Sequence, residues 1–262
     1  MVVTFEVRDL EFRYREKPVL DGASLEIRSG EVFGILGPNG CGKTTLLKNL
    51  NRNLRPNSGS VVVDGSDISE MAKKDIAKIV AAVPQANEIR FSFTVRDIVA
   101  MGRMPFQRQF EGDSSSDLQI VDQALKDVGL YDMRDLHINE MSGGERQRVI
   151  IARALAQTPR YLLMDEPTNH LDVNMQFEVL DLVHRLSREK GLTVVIVSHD
   201  LPMASRYCDR IAMIHDHRVM CCGTPEEVLT PENMKAVFNV DAELSVDSKT
   251  GKHTVLLHGV AH

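Results

Sequence analysis

The sequence predicts an α/β fold: a mixed core sheet with flanking helices, joined by an antiparallel β subdomain and an inserted helical subdomain. Three observations predict it. Residues 31–36, 161–164 and 193–197 are short, nearly continuous apolar runs, as strands covered on both faces require. The first is followed, past a glycine-rich turn, by Leu46, Leu47, Leu50 and Leu54 at helical spacing, and the second by a helical stretch over 175–190. Between about residues 90 and 135 the alternation of strand and helix gives way to helical patterns separated by a polar stretch, 111–117, which reads as an inserted subdomain with an exposed loop.

Taken in order, residues 2–7 and 25–27 read as strands, Asn57, Ser58 and Gly59 as a turn, 61–63 as a strand, and 80–83 as a buried strand closed by Pro84. Inside the insertion, 97–102 is helical in pattern, and a second helix runs through Leu118, Val121, Leu125 and Val128. A helix from Gly144 to about Gln157 precedes the strand at 161–164. Thr224 and Glu227 around Pro225 form a capping box with proline at the first helical position. Residues 243–246 and 254–257, joined across Lys249, Thr250 and Gly251, predict a terminal hairpin. The expected division is one domain: a core over about 1–88 and 158–240, a helical subdomain over about 89–157, and the hairpin over about 241–262.

At 262 residues, 43% hydrophobic and 26% charged, the chain can bury a substantial core. Its net charge of -6 provides no general basic field, so nucleic acid is not an expected partner. Cys41, Cys208, Cys221 and Cys222 have no metal-binding or disulfide-framework spacing and are expected to be reduced thiols. The first ten residues carry Glu6, Arg8 and Asp9 and lack the apolar core of a signal peptide, which predicts a cytoplasmic location. No apolar run approaches the roughly 20 residues of a spanning helix, so any membrane role is expected to run through a partner.

Gly37, Pro38, Asn39, Gly40, Cys41, Gly42, Lys43 and Thr44 fit the pattern G-x-x-x-x-G-K-[ST], between a strand and a helix. Glycines let the backbone N–H groups converge on phosphate oxygens, and the following helix adds its positive end. Lys43 is expected to hold the β- and γ-phosphates and Thr44 a magnesium ion. The strand at 161–164 runs into Asp165 and Glu166, where ligands bind in open α/β sheets. Asp165 is expected to reach the magnesium ion through its water shell. Glu166 is expected to act as general base, against the plainer reading of a solvated acidic loop. The strand at 193–197 likewise ends at Ser198, His199 and Asp200. His199 is the expected donor to the γ-phosphate or orienter of the water.

Ser142, Gly143, Gly144, Glu145, Arg146 and Gln147 complete a set of motifs in which the chain resembles the ABC ATPases over almost its whole length. The family's LSGGQ signature stands here as Met141 to Glu145. On its own, Ser142 with Glu145 is a capping box opening the helix of Val149, Ile151 and Leu155. The resemblance implies that this same helix start meets the γ-phosphate held by a second subunit. It also implies that Tyr14 stacks on adenine, Gln85 is the Q-loop residue and a magnesium ligand, and Asn169 to Asp172 form the D-loop. Thr45 and Asp172 join the nucleotide-binding set. Glu145 for glutamine keeps the capping hydrogen bond, and Cys41 for serine leaves the backbone N–H in place while adding a thiol that alkylating reagents could reach.

Thr94 to Asp97, then Gly102, Arg103 and Pro105, and the run Thr168, Asn169, His170, Leu171, Asp172 are similar to the iron-siderophore, haem and cobalamin import ATPases. That branch implies an ATP- and Mg2+-dependent motor acting as a head-to-tail, two-fold homodimer on the inner face of the membrane. Its partners are an integral permease, docked over about residues 87–106, and indirectly an extracytoplasmic substrate-binding protein. The plainer reading of Phe91, Phe93 and Phe106 is that they fill the small subdomain's core. The rivals are a soluble cassette of an assembly machine such as iron-sulfur cluster biogenesis, an importer of another substrate class, and a non-catalytic regulatory module, which Lys43, Asp165, Glu166 and His199 oppose.

Overall fold

The structure, a computed structural model, describes residues 2–85, 92–107 and 114–261. It begins with β1 (Val3–Tyr14), β2 (Lys17–Arg28), β3 (Val32–Leu36), α1 (Lys43–Leu50), β4 (Ser58–Val63) and β5 (Ser66–Asp67). It continues through α2 (Lys73–Ile79), β6 (Val80–Val83), α3 (Val95–Ala100), α4 (Ser115–Asp127), α5 (Gly143–Ala156), β7 (Tyr161–Asp165) and α6 (Val173–Lys190). The remainder is β8 (Thr193–Val197), α7 (Leu201–Tyr207), β9 (Arg210–His215), β10 (Arg218–Gly223), α8 (Pro225–Val228), α9 (Pro231–Phe238), β11 (Val240–Val246) and β12 (His253–Val260). The chain divides into two units, Met1–Met71 with Thr193–His262, and Ala72–Leu192.

In the first unit, β3 lies between β8 and β9 and is parallel to both, while β10 pairs antiparallel with β9. The apolar runs of β3 and β8 are buried along their whole length, as their continuous patterns require. An antiparallel sheet of order β2-β1-β4-β5 accompanies them. β1 and β2 are twelve residues each, much longer than their patterns suggest, because shifts of register break the alternation. Asp9 adopts φ 45° next to one shift. At another, Phe12 faces Leu20 and Arg13 faces Pro18, which leaves Val19 as an extra residue on β2. The terminal hairpin forms as expected, extended to β11 and β12.

In the second unit, β6 and β7 are parallel neighbours. Ile98 of α3, Val121 and Leu125 of α4, Val149 and Ile151 of α5, and Leu162 and Leu163 of β7 are all buried. Arg103 follows α3 and is itself buried. Its Nε donates to Asp117 Oδ1 at 2.7 Å and its Nη1 to the Ala156 carbonyl at 2.8 Å, at the end of α5. Its guanidinium lies 3.9 Å from the centre of the Phe106 ring. No helix among the described residues is long and apolar enough to cross a membrane.

Candidate nucleotide site

The segment between β3 and α1 turns on three glycines with positive φ: 155° at Gly37, 81° at Gly40 and 111° at Gly42. Two of them also lack room for a side chain. A Cβ on Gly37 would stand 2.3 Å from the Ile214 carbonyl oxygen of β9, and one on Gly42 2.6 Å from the Val19 carbonyl oxygen of β2. The loop is therefore walled by backbone on both flanks. Gly42 caps α1 without a side-chain acceptor, and no acidic residue stands in the first turn. The leading N–H groups and the positive helix end are thus kept for an anion. Lys43 is buried, and its ammonium donates to the Gly37 carbonyl at 2.7 Å and the Pro38 carbonyl at 2.9 Å, curling the loop around its own cation. Thr44 is half-buried and Thr45 buried on the helix, while Asn39 and Gly40 are exposed at the tip.

Cys41 differs from the expected reactive thiol. It is buried, and burial pushes its thiol up, with the nearby Lys43 charge opposing only in part. The thiolate that alkylation needs is correspondingly scarce.

In the same unit β8 ends at Val197, and the Ser198 N–H donates to the Ile35 carbonyl of β3. Asp200 caps α7 by accepting from the Met203 N–H at 2.9 Å. His199 is exposed between these two anchored neighbours. Tyr14, at the end of β1, is 47% exposed, and its ring meets Phe12 in a T-shaped arrangement with centroids 4.9 Å apart.

The second unit gathers the carboxylates. Asp165 is buried at the end of β7, and Glu166 follows in left-handed backbone at φ 47°. A non-glycine residue there carries about 1–3 kcal/mol of strain and is commonly a functional position. Its Oε2 accepts from the Gln85 amide at 3.0 Å and from the Asn169 amide, while the Asn169 N–H returns to the Glu166 carbonyl at 3.2 Å. Gln85 and Glu166, 81 positions apart, are thereby joined as candidate site residues. Asn169 was expected only as part of a loop. Its spacing of three from Glu166 was the available signal for its role as an orienting donor. Asp172 is exposed at the start of α6.

The capping box opening α5 is formed in full. The Ser142 N–H and hydroxyl each donate to Glu145 Oε2 at 2.8 Å, and the Glu145 N–H donates to Ser142 Oγ at 3.3 Å. The Ser142 backbone N–H, followed by its hydroxyl, holds the Glu145 carboxyl below the usual carboxylate range. Its charge is therefore tied to the cap. Gly144 is buried, with room for no more than the Met175 side chain of α6, whose Sδ lies 2.7 Å from where a Cβ would be. Gly143 is exposed.

The ABC transporter family profile matches residues 20–169, more than half of the chain. The chain belongs to the ABC transporter family. Iron(3+)-hydroxamate import ATP-binding protein FhuC of Bacillus subtilis is 38% identical over 97% of this chain and 95% of its own length. Cobalamin import ATP-binding protein BtuD of Halobacterium salinarum is 40% identical over 97% of this chain, which spans only 63% of that relative's length. Among solved structures, one of a metal-chelate type ABC transporter in an inward-facing conformation superposes with a TM-score of 0.86 at 28% identity, covering 98% of both chains.

Of the region that the ABC resemblance assigns to permease docking, 87–91, including Phe91, lies outside the described residues. Within the described part, Phe93 is 38% and Met104 65% exposed, so neither fills the core. Phe106 is half-buried beneath Arg103.

Proposed function

We propose that this chain is the ATP-hydrolysing subunit of an importer that drives uptake of a metal chelate of the iron-siderophore, haem or cobalamin class through a membrane permease. The observation that carries the hydrolytic part is the Glu166 carboxylate, held by Gln85 and Asn169 in a strained backbone position at the end of a buried strand. The cargo class rests on relatives named for cobalamin and iron(3+)-hydroxamate import.

The loop from Gly37 to Thr44 is suited to ATP phosphates, since its glycines converge backbone donors where no side chain fits. Lys43 would exchange loop carbonyls for phosphate oxygens, and Tyr14 would stack on the base. The Thr44 hydroxyl, the Asp165 carboxylate and the Gln85 carbonyl are hard oxygen donors that fit Mg2+. When bound, that ion neutralises charge on the phosphates. Glu166 takes the proton of a water attacking the γ-phosphorus as the bond to the β-phosphate oxygen breaks, and His199 donates to a γ-phosphate oxygen. Catalysis is positioning and charge stabilisation in place of covalent chemistry.

Two copies would pair head to tail about a two-fold axis, each presenting Ser142, Gly143 and Gly144 to the nucleotide on the other. The exposure of Gly143 and the capping of the Glu145 charge support this role. The exposed residues Phe93, Met101 and Met104 would receive the permease; the chain would then sit on the cytoplasmic face of the membrane, and an external binding protein would deliver cargo to the permease.

Purifying the chain from membranes tests the reading. An integral permease should co-purify, and in liposomes the complex should take up ferric hydroxamate or cobalamin with ATP. Recovery with soluble partners alone would support a cassette of an assembly machine instead.

A further inference from the structure

β9 and β10 meet in the turn Asp216-His217, with φ 44° and 69°. This is the hairpin turn that favours Asn and Gly, yet its second position holds histidine. Its backbone and side chain explain why. The His217 carbonyl accepts from the Asp21 N–H at 2.9 Å, and His217 Nδ1 lies 3.1 Å from the Val19 carbonyl oxygen. A carbonyl only accepts, so Nδ1 carries the hydrogen. Arg218 adds a fork onto Asp21 Oδ2 at 2.6 and 3.0 Å.

Val19 is the extra residue of the β2 bulge, and its carbonyl oxygen is also the wall that excludes a side chain at Gly42. The opposite wall, the Ile214 carbonyl that excludes one at Gly37, belongs to the strand leading into the same turn. The hairpin tip thus grips one wall of the phosphate loop while its own strand forms the other. Tyr14 lies at the end of the strand paired with this bulged stretch.

We propose that His217 is a positioning residue for nucleotide binding: it clasps the bulged carbonyl of Val19 and so fixes the spacing of the two backbone walls between which the phosphate loop curls. It touches no substrate and acts through Val19. The role rests on the loop being the ATP site, as proposed above.

Two substitutions separate this role from turn stability. His217→Gly gives the turn its preferred residue, relieves a left-handed side chain and removes the clasp. Thermal stability should hold or rise, yet ATP should bind about fivefold more weakly, because the loop walls are no longer held ready and must be ordered on binding, with kcat at saturation unchanged. His217→Asn keeps an N–H at the Nδ1 position and tolerates the same backbone, so its ATP affinity should return to within twofold of wild type. In wild-type protein, ATP with Mg2+ should also slow hydrogen exchange at the Asp21 amide. Equal ATP affinity in wild type and His217→Gly, or unchanged exchange at Asp21 while the loop amides are protected, would overturn the role of His217 alone. Absence of ATP binding by wild-type chain would overturn the nucleotide reading and this role together.

Discussion

Gly37 and Gly40 stand three residues apart in one loop, both with positive φ, and the same substitution should cost very different amounts at the two. Alanine at Gly40 meets nothing within 4 Å. Its cost is the left-handed backbone, about 1 kcal/mol, offset by about 0.5 kcal/mol from a stiffer unfolded chain. At Gly37 the added methyl would lie 2.3 Å from Ile214 O and 2.7 Å from Cys41 Sγ. The first neighbour is backbone next to the β3–β9 ladder, where Leu36 faces Met213, so relief means opening that pairing. A backbone strain of about 1–3 kcal/mol and one or two ladder bonds at about 1 kcal/mol each give about 2–5 kcal/mol in all. For a chain of this size 1 kcal/mol moves the midpoint by about 2–4 °C, so Gly40→Ala should fall by about 2 °C and Gly37→Ala by about 10 °C. Thermal melts by circular dichroism, with urea midpoints alongside, provide the comparison. Equal shifts in the two variants would refute the wall formed by β9.

Arg103→Met should destabilise the chain by about 2 kcal/mol, because Asp117 Oδ1 and the Ala156 carbonyl lose their guanidinium donor while Ser114 still holds Asp117 Oδ2; a loss below about 1 kcal/mol in urea melts would count against the Arg103 lock. The same pair sets an acid dependence. The Ser114 hydroxyl and then the Arg103 guanidinium hold the Asp117 carboxyl below its ordinary value, so its stabilisation is present above about pH 4 and is lost as pH falls through the lower folded value. The stability gap between wild type and Arg103→Met should narrow as pH is lowered through that window, and a gap independent of pH would contradict the coupling. Cys41, raised by burial, should react with iodoacetamide at pH 7 more slowly than a free thiol by at least about tenfold; mass spectrometry of the tryptic peptide reads the rate, and labelling at the free-thiol rate would contradict the packing of the loop.

The glycine loop, the capping boxes and the buried strands were legible because each depends on residues close in sequence. Ser142 and Glu145 lie within one turn, and the β3 and β8 patterns are unbroken. The full β1–β2 ribbon was not legible, since a bulge at Val19 and a left-handed Asp9 interrupt the period on which strand reading relies. β9 and β10 gave no expectation at all. Their central feature, the clasp of His217 on β2, pairs residues 198 positions apart. The link from Gln85 to Glu166 was likewise a matter of tertiary placement. Glu166 is read as a base from its place after a buried strand and Gln85 only by resemblance, and only the fold joins their side chains.

Pairing of two copies around hydrolysable ATP is tested most directly by Glu166→Gln. With ATP and Mg2+ this variant should sediment as a dimer, while ADP returns it to the state of the nucleotide-free chain, and turnover should fall by at least about 100-fold. Undiminished hydrolysis would contradict the base at Glu166, and a variant that binds ATP and stays monomeric would contradict the role of Ser142 to Glu145 in trans.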